Sequence, residues 1–197
     1  MFFPTKPSLK RIRELIAAQA DLDFSYPEVG ATRAKLPQGY FVDHNRVQLG
    51  LGKECFNRAV AAIRRWKQFD LGWVEAVPAD TPIELNAVVG VLARHFGFWS
   101  LNVSRIVYLI DERGPIEKFG FAYGTLASHV ERGEERFQIE WHRDDDSVWY
   151  DILAFSRPNQ YLIRFGQPIA RRLQKRFAKD SLKVMAEVVR DEVARQS

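Results

Sequence analysis

The chain has 197 residues, 46% of them hydrophobic and 27% charged, with a formal net charge of +4. That balance excludes intrinsic disorder and suits one globular domain. Cys55 is the only cysteine, which excludes an internal disulfide and any multi-cysteine zinc or iron–sulfur site.

Taken in chain order, residues 8–20 place Leu9, Ile12, Leu15 and Ile16 at helical spacing, with Ser8 as N-cap. A turn-rich stretch, residues 21–39, follows; Phe24, Tyr26 and Val29 give it apolar anchors. Residues 40–49 read as a strand, and Gly50 and Gly52 introduce an amphipathic helix over residues 53–69. Its stripe is Phe56, Val60, Ile63 and the pair Trp66/Phe69. A short strand over residues 72–77 ends at Pro78. Residues 86–96 fit a helix or a strand, and Val88, Val89 and Val91 favour the strand. Residues 103–110, 119–130, 135–142 and 147–155 continue as an antiparallel meander. Turns are expected at Arg132-Gly133 and at the acidic run Asp144–Asp146. The chain closes on a helix over roughly residues 167–194.

The expected fold is therefore α+β: a curved antiparallel sheet of about six to seven strands gripping a long C-terminal helix. One domain spans residues 1–197, with residues 1–35 as an N-terminal helix and loop appendage and residues 36–195 as the core. A turn at Arg132-Gly133 sets Trp141 opposite Gly124 and Ile139 opposite Leu126. Gly120, Ala122 and Gly124 then form a bare strip on the aromatic face. Such a strip is covered by the chain's own packing or leaves room for a ligand, and packing is the commoner outcome. The other face pairs Tyr123 with His142, Thr125 with Glu140 and His129 with Arg136. Asp151 lies in an apolar strand, where an Arg such as Arg105 or Arg157 would satisfy it.

Several chemistries fail on their motifs. There is no G-x-S-x-G elbow. Gly50-Leu51-Gly52-Lys53 lacks phosphate-loop spacing, and Glu54 stands where Ser/Thr would hold magnesium. His129-Val130-Glu131 has no P-C-x-x-C partner. The four histidines show no metal-ligand spacing and the three aspartates no full calcium loop, so neither a metal nor a cofactor is expected. Between Pro168 and Lys183 lie six basic residues, Arg171, Arg172, Lys175, Arg176, Lys179 and Lys183, against one acid, Asp180. Solvent is the default neighbour of that face, an anionic membrane surface the alternative, and nucleic acid the weaker one at so small a net charge. No apolar run approaches the roughly 18 residues of a membrane span, and the N-terminus lacks the apolar core of a signal peptide. A soluble cytoplasmic protein is the expectation.

The segments YPEVGAT (26–32), LPQGY (36–40), FNRAVAAIRRWKQFDLGWV (56–74), LNVSRIVYLIDE (101–112), FGFAYGTLASHVERGEERFQIEW (119–141) and VWYDILAFSRP (148–158) resemble those of uncharacterised protein family 0548. The resemblance spans roughly residues 24–185 and brings no catalytic or binding residue with it. It implies a START-like (SRPBCC) helix-grip fold, in which sheet and terminal helix commonly enclose an apolar pocket. By that analogy Trp99, Tyr108, Phe121, Tyr123, Trp141 and Trp149 are cavity candidates, with Glu140 and Asp151 as polar ones. The expected function is binding of a small apolar or amphipathic molecule. Two alternatives stay open: an enzyme acting on such a ligand, with Asp151, Glu140, His129 or His142 as acid or base, and an interaction protein using the basic helix.

Overall fold

A computed structural model describes residues 1–127, 129, 131–158 and 167–194. Strands β1 (Phe2–Phe3), β2 (Phe41–Leu51), β3 (Val74–Val77), β4 (Val88–His95), β5 (Phe98–Glu112), β6 (Ile116–Thr125), β7 (Glu131–His142) and β8 (Ser147–Pro158) form one curled antiparallel sheet. Its order is β2-β8-β7-β6-β5-β4-β3, with β1 paired to β5. Helices α1 (Leu9–Ala17), α2 (Gly52–Arg64) and α3 (Gln167–Ala194) complete the fold. The α+β helix-grip architecture expected from the sequence is the one observed. Among the described residues, no helix is long and apolar enough to cross a membrane.

Burial on the two faces follows the period-two alternation of the strands. On the inner face, Phe56, Ala59 and Ile63 of α2 and Met185 and Val189 of α3 close over Phe121, Phe137, Ile139 and Tyr150. The Tyr150 hydroxyl is 3.0 Å from Ser181 Oγ on α3. On the outer face, Ile12 and Ile16 of α1 pack against Leu92, Leu101 and Val103. Ser8 caps α1 by accepting a hydrogen bond from the Arg11 amide at 3.2 Å.

Helix α2 is shorter than its apolar stripe implies. Trp66 turns left-handed (φ 56°), and a 3-10 turn follows over Lys67–Phe69. The turn keeps Trp66 and Phe69 buried and lets the Trp66 indole donate to the Thr81 carbonyl at 2.7 Å. The Gly50–Lys53 segment holds no free phosphate cradle, because the Gly52 amide donates to the Asp146 carbonyl at 2.8 Å.

The acidic turn is where the sequence put it, joining β7 to β8. The Arg132-Gly133 turn is not: both residues lie within β7. A methyl group at position 133 would strike the Phe155 carbonyl, so Gly133 marks close strand approach rather than a turn. The pairing moves accordingly, and Trp141 faces Glu117 instead of Gly124. The displacement is odd, which exchanges faces. The expected pairs of Tyr123 with His142, Thr125 with Glu140 and His129 with Arg136 give way to Tyr123 with Glu135, Lys118 with Glu140 and Ala122 with Arg136. The Gly120-Ala122-Gly124 strip thus lies on the outer face, away from the aromatic row. There the Tyr26 ring covers Gly124 so closely that a side-chain methyl would collide with it.

The N-terminal stretch is built into the sheet as well as lying on it. The Ser25 amide donates to the Thr125 carbonyl at 2.9 Å, and Tyr26 is 3% exposed. Of the core proposed over 36–195, residues 128, 130, 159–166 and 195 lie outside the described residues.

Candidate functional site

α2 covers only part of the inner face. Beyond its reach, the N-terminal half of α3 bridges the curled sheet and leaves a cavity of about 560 Å³. The walls are mostly apolar: Phe69, Trp73, Val74, Val91, Ile152 and Ala154 below, and Leu173, Phe177 and Ala178 of α3 above. Exposed Phe2, Phe96, Phe98 and Ile169 stand at its rim.

Three polar groups of the site stand in one row across four strands. Asp43 of β2 pairs with Ala154 of β8, which pairs with Glu135 of β7, which pairs with Tyr123 of β6. The small side chain of Ala154 leaves space between the two acids. The Tyr123 hydroxyl donates to Glu135 Oε2 at 2.8 Å. From α3, Arg171 Nη2 donates to Asp43 Oδ1 at 2.8 Å, and Gln174 donates both to Ser156 Oγ at 2.9 Å and to the Glu131 carboxylate. These contacts fix α3 over the sheet while its apolar stripe faces the cavity.

Glu135 borders the cavity yet is ringed by protein. Desolvation pushes its pKa up to about 7; the Tyr123 hydrogen bond opposes the shift, and the charges of Glu131 and Asp43 add to it. Burial also raises Glu131, against the hydrogen bonds from Gln174 and Ser156 and the charge of Arg171. Burial, then the charge and hydrogen bond of Glu135, hold the Tyr123 phenol well above its ordinary value. Burial lowers His129 to about 3, and its Nδ1 accepts the Glu131 amide at 3.0 Å, so this ring is neutral.

A carboxyl whose folded pKa exceeds its ordinary 4.5 binds its proton more tightly in the folded state. Its stabilising contribution is full below about 4.5 and is lost as pH rises through about 7. His129 runs the other way, its contribution being lost as pH falls below the ordinary 6.5. Subtracting the unfolding free energy of Glu135→Gln from that of the native chain isolates the carboxyl. The difference should fall by on the order of 2 kcal/mol between pH 5 and 8 in urea titrations; a flat difference would show Glu135 to be unperturbed.

Of the residues expected to form the cavity, Tyr123 lines it. Phe121 is fully buried in the core against Trp66 and Phe137. Trp141 packs near Phe56 of α2 and donates to Asp146 Oδ1 at 2.7 Å. The other five lie on the outer face, because their strand positions have the opposite parity to Tyr123 and Glu135. Tyr108 meets Thr32 Oγ1 at 2.7 Å beneath Arg33. Trp149 lies under Arg46, Glu140 contacts Arg46, Gln138 and His142, and Trp99 packs with the α1 cluster. Asp151 is held by His44 at 2.6 Å and Arg136 at 2.8 Å, the roles assigned in the sequence to Arg105 or Arg157. Arg105 instead donates to the carbonyls of Ala20 and Leu22.

The basic face of α3 divides. Arg171 is committed to Asp43, and Arg176 stacks 4.3 Å from the Trp73 ring centre and meets Asp180. Arg172, Lys175 and Lys179 are exposed. Sequence reasoning missed Glu135 and Asp43. The signal for Glu135 was an acid in register with Phe137, Ile139 and Trp141, a row otherwise apolar.

A model described as a domain of unknown function (DUF1990) matches residues 25–184. A UPF0548 protein of Dictyostelium discoideum is 41% identical over 208 residues, covering 96% of this chain and 96% of that one. A UPF0548 protein of Deinococcus radiodurans is 36% identical over 192 residues, covering 91% and 94%. Among solved structures, the crystal structure of Ara h 8.0201 superposes with a TM-score of 0.51 at 12% identity, over 78% of this chain and 99% of that one. That last likeness is one of fold.

Proposed function

This chain belongs to the UPF0548 (DUF1990) family, and for it we propose a small-ligand-binding module that holds an apolar or amphipathic molecule between the curled sheet and α3. The observation that carries the reading is the cavity of about 560 Å³: mostly apolar walls, with polar groups among them that include Asp43, Glu135 and Tyr123 along one row. Sites for small molecules have that size and that distribution of polarity. Neither an anionic membrane nor nucleic acid is part of the proposal, since two of the basic residues on α3 are engaged within the protein.

A second reading, an enzyme acting on the bound molecule, is favoured by Glu135, a carboxyl near neutrality beside a phenol. Of the acid/base residues expected from the sequence, His129 lines the cavity, whereas Asp151, Glu140 and His142 do not.

The test is native mass spectrometry of the purified protein, before and after incubation with the neutral apolar fluorophore N-phenyl-1-naphthylamine. A co-purified small molecule released on denaturation, or saturable uptake of one fluorophore per chain, is the expected result. A bare protein mass with no uptake overturns the proposal.

A further inference from the structure

We infer that the molecule this cavity takes is an organic cation, an apolar body bearing one protonated amine, with the Glu135 carboxylate as its counter-ion. The inference rests on the cavity's being a binding site and adds the chemical class of what it binds.

Its ground is the charge of the wall. The titratable groups lining the cavity are Asp43, Tyr123, Glu131, Glu134, Glu135, His95 and His129, and no Lys or Arg is among the described lining residues. Burial lowers the pKa of both histidines, so neither contributes positive charge near neutrality.

The acids are not equivalent. Asp43 is clamped by Arg171. Glu134 is saturated by the Tyr26 hydroxyl, the Gly30 and Thr32 amides and the Thr32 hydroxyl. Glu131 is held by Gln174. Glu135 differs: among the described residues its donor is the neutral Tyr123 hydroxyl, and no cation is among the groups that shift it, whereas Arg171 acts on Glu131. An ionised carboxylate in such surroundings lacks compensating charge, and a ligand ammonium supplies it. A ligand carboxylate would add a like charge, and an alcohol would offer one hydrogen bond with no charge. Phe69, Phe177 and Tyr123 line the same cavity, and aromatic rings are favourable neighbours for a cation in a desolvated site.

Binding should depend on pH. The charged or titratable groups around Glu135 are Tyr123 on β6, Glu131 on β7, Tyr150 on β8, Asp43 on β2, Arg171 on α3, and His129. Both tyrosines are pushed far above neutrality and His129 far below it, leaving the two glutamates as the groups shifted upward toward it. Amine affinity should therefore rise as pH passes about 7.

The experiment uses three ligands of one chain length, n-octylamine, 1-octanol and octanoate, each displacing bound N-phenyl-1-naphthylamine from the whole protein. At pH 8 octylamine should bind at least about tenfold more tightly than octanol, with octanoate weakest. In Glu135→Gln that advantage should shrink to about twofold or less, while octanol affinity holds. In the native protein it should shrink by roughly tenfold between pH 8 and pH 6, a readout that needs no variant to fold. Octanol or octanoate matching octylamine, an advantage that survives both Glu135→Gln and pH 6, or octylamine failing to displace bound fluorophore overturns the inference and leaves the cavity a binding site. Absence of fluorophore uptake overturns the binding reading itself, and the inference with it.

Discussion

Replacing Glu134 by Ala should cost the protein about 3 kcal/mol of stability and release residues 26–32 from the sheet. This carboxylate, 2% exposed, is a hub for the N-terminal loop. It accepts the Tyr26 hydroxyl at 2.8 Å, the Gly30 amide at 2.6 Å, the Thr32 amide at 3.0 Å and the Thr32 hydroxyl. Two of those residues are themselves buried, Thr32 at 2% and Tyr26 at 3% exposure. Truncation would strand their donors away from water, and an unmet buried donor costs more than an average hydrogen bond contributes. The consequence spreads through Tyr26, whose ring closes over Gly124 on the outer face. Urea unfolding should show a lower midpoint at unchanged slope, and the Gly30 and Thr32 amides should exchange with solvent faster than those of β5. Glu134→Gln tests the same hub without a change of shape, because its NH₂ group would face donors where an acceptor is needed. If both variants stay within about 0.5 kcal/mol of the native chain, the loop is held by something other than this carboxylate.

Hubs of this kind explain what the sequence showed and what it hid. Local pattern was enough for the elements. Helical spacing around Ile12 and Ile16 located α1, and the valines at 88, 89 and 91 decided β4 in favour of a strand. The acidic run located the β7–β8 turn because Asp145 accepts its own Ser147 amide at 3.0 Å, a contact made within the turn. The site depended on register, and register hung on one glycine. Gly133 reads as a turn from its neighbours alone, whereas its cause is the Phe155 carbonyl on a strand some twenty residues later in the chain. An odd slip in pairing moves every side chain to the other face. Glu140, Trp149 and Asp151 were grouped with the cavity by analogy of fold, without regard to which face their strands turn inward, and Glu135, on the same strand as Glu140 but of opposite parity, was passed over. Tyr123 survives the error because it is aromatic on either assignment. Asp43 had no local signal: its place in the site depends on β2 pairing with β8, more than a hundred residues away in sequence.

Ala154→Trp should abolish ligand uptake while leaving the fold intact, lowering affinity for N-phenyl-1-naphthylamine at least about a hundredfold. Position 154 has the right geometry for so large an effect. It lies mid-row between Asp43 and Glu135, is half-buried, and faces empty volume rather than a packed neighbour. Large side chains inserted into a filled core force strain of about 1–3 kcal/mol, but an indole placed in an existing cavity displaces no protein atoms. The rings of Phe69 and Phe177, their centres 5.2 Å apart in the cavity wall, offer it apolar contact. The melting temperature should therefore stay level or rise as binding disappears. Those two readouts moving in opposite directions would separate a blocked cavity from a damaged fold. Full uptake by a folded Ala154→Trp chain would mean that the fluorophore sits elsewhere, and the row of Asp43, Glu135 and Tyr123 would lose its claim to be the site.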